Sequence, residues 1–233
     1  MKDILQDVVA HTHALGFLSL VKVTGGNETV IDSMAEDRSV ILNATSTHGV
    51  ADGTFGMPNL DKLALHLKNP EYKDNAKIDI VKADRNGETI PTHIHFENDY
   101  RFMNKAIIEE KLKTVKFKGA AWNVEIAPTQ AAIARMKLMS AAHSEEPTFN
   151  VTTKDSNLIF SFGDASTHAG EFVFQHSVEG ALQHTWSWPV AQVQSILSLD
   201  GDLTMSISDQ GAMKITVNSG IATYDYILPA QSK

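Results

Sequence analysis

One amphipathic helix pattern occurs twice at a fixed distance, and it restricts the fold more than any other feature of the chain. "LDKLALHL" (60–67) puts Leu60, Leu63, Ala64 and Leu67 on one stripe of a helix. Pro58 stands where a first-turn proline is tolerated, and Asn69-Pro70 stops the run. "WPVAQVQSIL" (188–197) has the same design, with Val190, Val193 and Leu197 on the stripe and Ser187 as a candidate N-cap. The two stripes are offset by a constant 130 residues.

The flanking segments repeat as well. After the first helix, "AKIDIVKADRNGETIPTHIHF" (76–96) reads as strand, turn at Asn86-Gly87, strand. After the second, "GDLTMSISDQGAMKITV" (201–217) reads the same way around Gln210-Gly211. The first copy carries extra residues around "NPEYKD", and each copy closes on one more strand, "DYRFMNKA" (99–106) and "GIATYDYILP" (220–229). Upstream, "KDILQDVVAHTHA" (2–14) turns Ile4, Leu5, Val8 and Val9 inward. Its counterpart "APTQAAIARMKLMSAAH" (127–143) does so with Ala132, Ile133, Met136 and Met139. Three strands are predicted after each helix: 17–23, 29–36 and 39–46 in copy one, then 148–153, 157–163 and 170–177 in copy two. The expected organisation is α+β and duplicated: residues 1–106, a charged connector 107–118, and residues 119–233.

Composition limits the partners and the chemistry. The chain has 233 residues and a formal net charge of −8, which argues against a nonspecific coat for nucleic acid or membrane while leaving room for a local basic surface. Without cysteine there is no disulfide, thiol nucleophile or Cys-type zinc site. No stretch is long and apolar enough for a membrane helix, and the first residues alternate charged and apolar types unlike an export signal. Neither a Gly-x-Ser-x-Gly elbow nor a Gly-x4-Gly-Lys phosphate loop occurs. The strand 220–229 alternates Ala222, Tyr224, Tyr226 and Leu228 before Pro229, and a strand at a chain terminus reads as an open edge that invites other chains.

Two stretches, "ATYDYILPA" (222–230) and "IDSMAEDRSVIL" (31–42), together with the order of the duplicated elements, resemble the DNA sliding clamps of the tailed-phage and PCNA type. The resemblance covers the whole chain. It implies two copies of the DNA-clamp domain, with helices lining a ring and antiparallel sheets outside, and a non-enzymatic processivity factor without cofactor or metal. It also implies a homotrimer that encircles duplex DNA without sequence preference. The polymerase and the clamp loader would dock through short peptides, in the cytoplasm of a bacterial host if the protein is phage-encoded.

Carried onto this sequence, the resemblance implies three sets of residues. Lys2, Lys62, Lys68, Arg135 and Lys137 would face DNA, with His11, His66 and His143 adding partial charge. Tyr100 and Phe102 would meet Phe172 and Phe174 of the next subunit. Met34, Arg38, Ile107, Ile108, Leu112, Ile227, Leu228, Pro229 and Ala230 would wall the peptide pocket.

Two other readings fit the residues. His93 and His95 in "THIHF" share a strand face as metal-ligand pairs do, which would suit a metal-dependent enzyme, although no third ligand is evident from spacing. A structural protein that oligomerises through its strand edges without DNA is the other.

Overall fold

In the computed structural model, residues 1–70, 78–85, 87–96, 98–113, 117–164 and 168–231 are described. Asn86 of the expected turn and most of the "NPEYKD" insertion lie outside them. The chain divides into two compact units, residues 1–116 with 218–225, and residues 117–217 with 226–233.

Unit one starts with α1 (Lys2–His11), which buries Ile4, Leu5 and Val8. It stops earlier than its periodicity predicts: a 3-10 turn (His13–Leu15) follows and ends on Gly16 at φ 82°. Strands β1 (Val21–Gly25), β2 (Thr29–Met34), β3 (Ile41–Ser46) and β4 (Gly53–Met57) precede α2 (Leu60–Lys68). After it come β5 (Ile80–Arg85), β6 (Glu88–His95), β7 (Asp99–Arg101) and α3 (Lys105–Lys111). One sheet has the order β4-β1-β2-β3, and the second is β5-β6-β7. These strands pair antiparallel, with Ile31 opposite Ala44 and Val23 opposite Ile31. The core here is largely aliphatic: Val21, Val23, Ile31, Leu42, Leu63 and Leu67 are buried, joined by Phe55.

Unit two contains β8 (Val124–Ile126), α4 (Gln130–Ala142), β9 (Thr148–Lys154), β10 (Asn157–Phe162), β11 (Gly170–Gln175) and β12 (Trp186–Pro189). Then follow α5 (Val190–Leu197), β13 (Asp202–Ser208), β14 (Ala212–Asn218) and β15 (Thr223–Pro229). One sheet runs β12-β9-β10-β11 and the other β8-β13-β14-β15. The first residues of β15, Thr223–Asp225, belong to unit one, where they border β3. Aromatic rings fill this core: Phe160 stacks on Phe174 at 4.1 Å and meets Phe149 at 4.8 Å. Phe162, Phe172 and Trp188 are buried with them, as are Ile133 and Met136 of α4.

Among the described residues each copy contains the run helix, four strands, helix, three strands, preceded in the second copy by β8. The sheet orders map one onto the other, β4-β1-β2-β3 onto β12-β9-β10-β11 and β5-β6-β7 onto β13-β14-β15. Helices α2 and α5 begin at Leu60 and Val190, the offset read from the sequence.

Three elements differ from expectation. Strand β4 is "GTFGM", where two glycines mask the pattern. Gly56 is needed there because a Cβ would come within 2.8 Å of Ile108 Cδ1. Ser187 does not cap a helix: it lies in β12 and its hydroxyl donates to Asn150, while Pro189 holds the cap position of α5. The strand expected over 99–106 ends at Arg101, because the Asn104 side chain accepts the Ile107 N–H at 3.0 Å and starts α3. Thus residues 107–111 of the expected connector are helix, with Ile108 buried, and Val115 lies outside the described residues.

Candidate functional site

The helices offer fewer free cations than their sequences suggest. On α2, Lys62 and Lys68 are exposed, with Asp61 beside them. On α4, Arg135 and Lys137 are exposed, and the Arg135 guanidinium sits over the Phe172 ring at 5.4 Å, which draws it toward β11. Ala134 and Leu138 dominate the outward face of that helix near Lys137. Lys2 corrects the expectation, since it is only 8% exposed. It lies on the face of α1 that carries Leu5, one turn on, so its stem packs rather than reaching outward. The helical histidines are also packed: His11 stacks on Tyr224 at 4.3 Å, His66 on Phe96 at 4.6 Å, and His143 on Phe162. Helix α5 carries no charged residue.

The sheet edges are the second feature. Strand β11 ends one sheet and β7 ends another. Among the described residues the outer side of β7 meets only a single bridge, between Met103 just beyond it and Gly56 of β4. Of the four aromatic side chains expected at a subunit contact, three are buried in the unit cores and Phe102 is half-buried. Phe172 and Phe174 are buried in unit two. Tyr100 is buried in unit one, where its hydroxyl donates to the Pro58 carbonyl and burial pushes its pKa far up. Phe102 stacks on Phe55 at 4.3 Å. What these strands leave available is backbone and the opposite faces, with Glu171 exposed and Val173 and Gln175 half-buried on β11.

The last strand is not the open edge its position suggests. Strand β15 is bordered by β14, and by β3 at its first residues. Ile227 is 6% exposed and Leu228 is fully buried, beneath a Trp188 Nε1–H that donates to the Leu228 carbonyl at 3.2 Å. The residues after it are tied down: Ala230 donates its N–H to Gly211 and Gln231 to Ser187. Terminal position was a poor guide because a strand's neighbours are set by non-local pairing. Of the expected pocket residues, Arg38 and Ile107 are exposed on unit one and Pro229 on unit two. Met34 and Ala230 are half-exposed, while Ile108 and Leu112 are buried in unit one. Arg38 sits at φ 60° in the turn joining β2 to β3, where its N–H donates to Ala35.

The β6–β7 pairing supplies the third ligand type that spacing did not reveal. His95 lies opposite Asp99 and His93 opposite Arg101, on one face of the hairpin. His95 Nδ1 is 3.0 Å from Asp99 Oδ1 and His93 Nε2 is 3.5 Å from the same oxygen. The His95 hydrogen bond holds the Asp99 carboxyl below its ordinary range, aided by the charges of His93 and Arg101. The signal was present in "THIHFENDYR": a short connection between two alternating segments brings 99 back beside 95.

Two repeats of helix, four strands, helix, three strands, with matching sheet orders, define a duplicated α+β architecture. Solved structures of PCNA share this fold. PCNA from A. fulgidus, in a structure with the C-terminal region of FEN-1 bound, matches over 100% of this chain and 95% of that chain, at 11% identity and a TM-score of 0.65. PCNA from Thermococcus kodakaraensis matches over 99% and 97% at 9% identity and 0.65. Proliferating Cellular Nuclear Antigen from Entamoeba histolytica matches over 99% and 94% at 11% and 0.63. No family model and no curated protein matches the sequence. The chain has the sliding-clamp fold over its whole length.

Proposed function

We propose that this protein is a DNA sliding clamp. Three copies close head to tail around duplex DNA and hold a replicative polymerase on its template, acting as a scaffold rather than a catalyst. One observation carries the reading. In unit one the third strand of the repeat, β3, is bordered by the first residues of β15, the seventh strand of the second copy. The corresponding strands, β11 and β7, are sheet ends. If β11 of one subunit takes β7 of the next as β3 takes β15, both edges are covered by a heterologous contact that closes on rotation. Three chains would then supply six copies around one hole. The likeness to PCNA, which includes a PCNA2–PCNA3 complex from Sulfolobus tokodaii, supports a fold suited to assembly.

The exposed Lys62, Lys68 and Lys137 suit nonspecific phosphate contacts, which let a ring move along DNA at little cost. Arg135 is kept as a weaker DNA contact, because its guanidinium also sits over the Phe172 ring. Peptides of the polymerase and clamp loader would meet Arg38 and Ile107, the expected pocket residues that remain exposed on unit one. The test is retention on circular duplex DNA with release when the circle is cut. Equal behaviour on circular and linear DNA by a chain that assembles would favour a structural oligomer instead.

A further inference from the structure

We propose that His93, His95 and Asp99 form a binding site for a late first-row divalent metal ion of the Zn2+ type, on the exposed face of the β6–β7 hairpin. The ligand atoms His93 Nε2, His95 Nδ1 and an Asp99 carboxylate oxygen all lie within 4.8 Å of one another. Donors at about 2.0–2.2 Å from a tetrahedral Zn2+ stand roughly 3.3–3.6 Å apart. The pairs through Asp99 Oδ1, at 3.0 and 3.5 Å, need only small side-chain rotations to reach that spacing.

The hydrogen bonds orient the donors. The Thr92 hydroxyl has one hydrogen, which it donates to the Val81 carbonyl at 3.0 Å. It therefore accepts from His93 Nδ1, 2.9 Å away, and that nitrogen carries the proton. In the neutral ring the lone pair is then on Nε2 and faces a carboxylate oxygen that can only accept. Two lone pairs meeting at 3.5 Å are satisfied by a positive charge between them, which a proton supplies in the metal-free chain and a bound metal ion would replace. Arg101 donates to the other carboxylate oxygen, Asp99 Oδ2, at 2.8 Å, so Oδ1 is turned toward the imidazoles. These are the outer contacts that fix ligand tautomer and direction in metal sites.

The backbone beneath is held as well. Ile94 and Tyr100 are the opposed pair on the other face, and both are buried. Two imidazoles with one carboxylate favour Zn2+ and its neighbours over Mg2+ or Ca2+, whose ligands are oxygens. Three protein donors leave a fourth position for water or a further ligand. Such an ion would staple the three-residue strand β7 to β6.

The experiment uses the full chain without an affinity tag, stripped with chelator and titrated with Co2+ and then Zn2+. The expected result is one equivalent of Co2+ per chain with visible d–d absorption, displaced by Zn2+. His93→Ala, His95→Ala and Asp99→Asn each weaken Zn2+ binding at least tenfold in chains whose far-UV circular dichroism is unchanged. Thr92→Val, which leaves all three ligands in place, weakens it severalfold, and His184→Ala on unit two leaves it unchanged. His95 is largely exposed, so its variant retains the fold and keeps the test decisive. Absence of binding by the wild-type chain, or binding that survives all three ligand substitutions, overturns the site.

Discussion

Strands β3 and β11 hold the same place in the two copies, yet one is covered and the other ends its sheet. The cover of β3 is not a loose flap. Tyr224 of β15 donates its hydroxyl to Asp7 Oδ2 at 2.7 Å, Ser219 donates to the same oxygen at 2.9 Å, and Ser46 of β3 donates to the Ile221 carbonyl. Strand β11 has the equivalent antiparallel partner, β10, on its inner side and a stacked aromatic core beneath it, but no strand borders its outer side among the described residues. Internal stability therefore does not explain the open edge. The difference lies in where the second half of the pairing comes from, and it makes a further copy of the chain the economical source.

The largest effect is expected from a charge placed in the covering strand. Leu228→Asp buries a carboxyl beneath Trp188 without a partner and should cost about 4 kcal/mol. The readout is denaturant unfolding. A variant that stays as stable as wild type and loses only partner binding would make β15 a docking ledge after all.

Next comes the open side. Phe102 donates its N–H to Thr92, so by alternation the Arg101 N–H points away from β6. Arg101→Pro removes that outward donor together with the guanidinium bond to Asp99 and should weaken association about 100-fold, or about 2.7 kcal/mol, while the chain stays folded. Arg101→Ala keeps the amide and should still assemble. Sedimentation of the two variants side by side separates the amide from the side chain.

A smaller effect concerns how β15 is held over β3. Burial pushes the Asp7 carboxyl up, but hydrogen bonds from His11, Tyr224 and Ser219 outweigh it and leave the group below its ordinary value. A lowered folded pKa contributes stability that is present above the unfolded value near 4. That stability is lost as pH falls through the folded value. Tyr224→Phe should cost about 2 kcal/mol at pH 7. Asp7→Asn should flatten the loss of stability below about pH 4, measured by thermal unfolding across a pH series. An unchanged acid limb in Asp7→Asn would remove this network from the explanation.

The smallest effect is on DNA. Lys62→Glu with Lys137→Glu should lower the log–log salt slope of DNA binding by about one unit per lost phosphate contact in each subunit, with assembly intact. An unchanged slope would turn these helices away from DNA.

Much of this architecture can be read from the sequence, for particular reasons. The duplication is legible because the stripes Leu60, Leu63, Leu67 and Val190, Val193, Leu197 keep one phase and one offset. Strands β4 and β12 are not, since Gly-rich "GTFGM" lacks a strand pattern and "WSWP" runs straight into a helix. The phase of Phe172 and Phe174 against Val173 and Gln175 already marks which face is apolar, and the structure turns that face into unit two. Whether an edge is covered depends on residues far away in sequence, as the Ser46–Ile221 contact illustrates, and no local pattern carries it. Burial of Lys2 was hidden for the same reason: a charged residue in a first turn reads as solvent-facing until its neighbours are known. Asp99 joined His93 and His95 only once the register of β6 and β7 was fixed.

The most direct test of a closed ring is the native mass of the purified chain across a concentration series, by light scattering or native mass spectrometry. A ring of three copies gives about three times 25.5 kDa at high concentration, reduced toward one copy by Arg101→Pro. A mass of 25.5 kDa at every accessible concentration would contradict it.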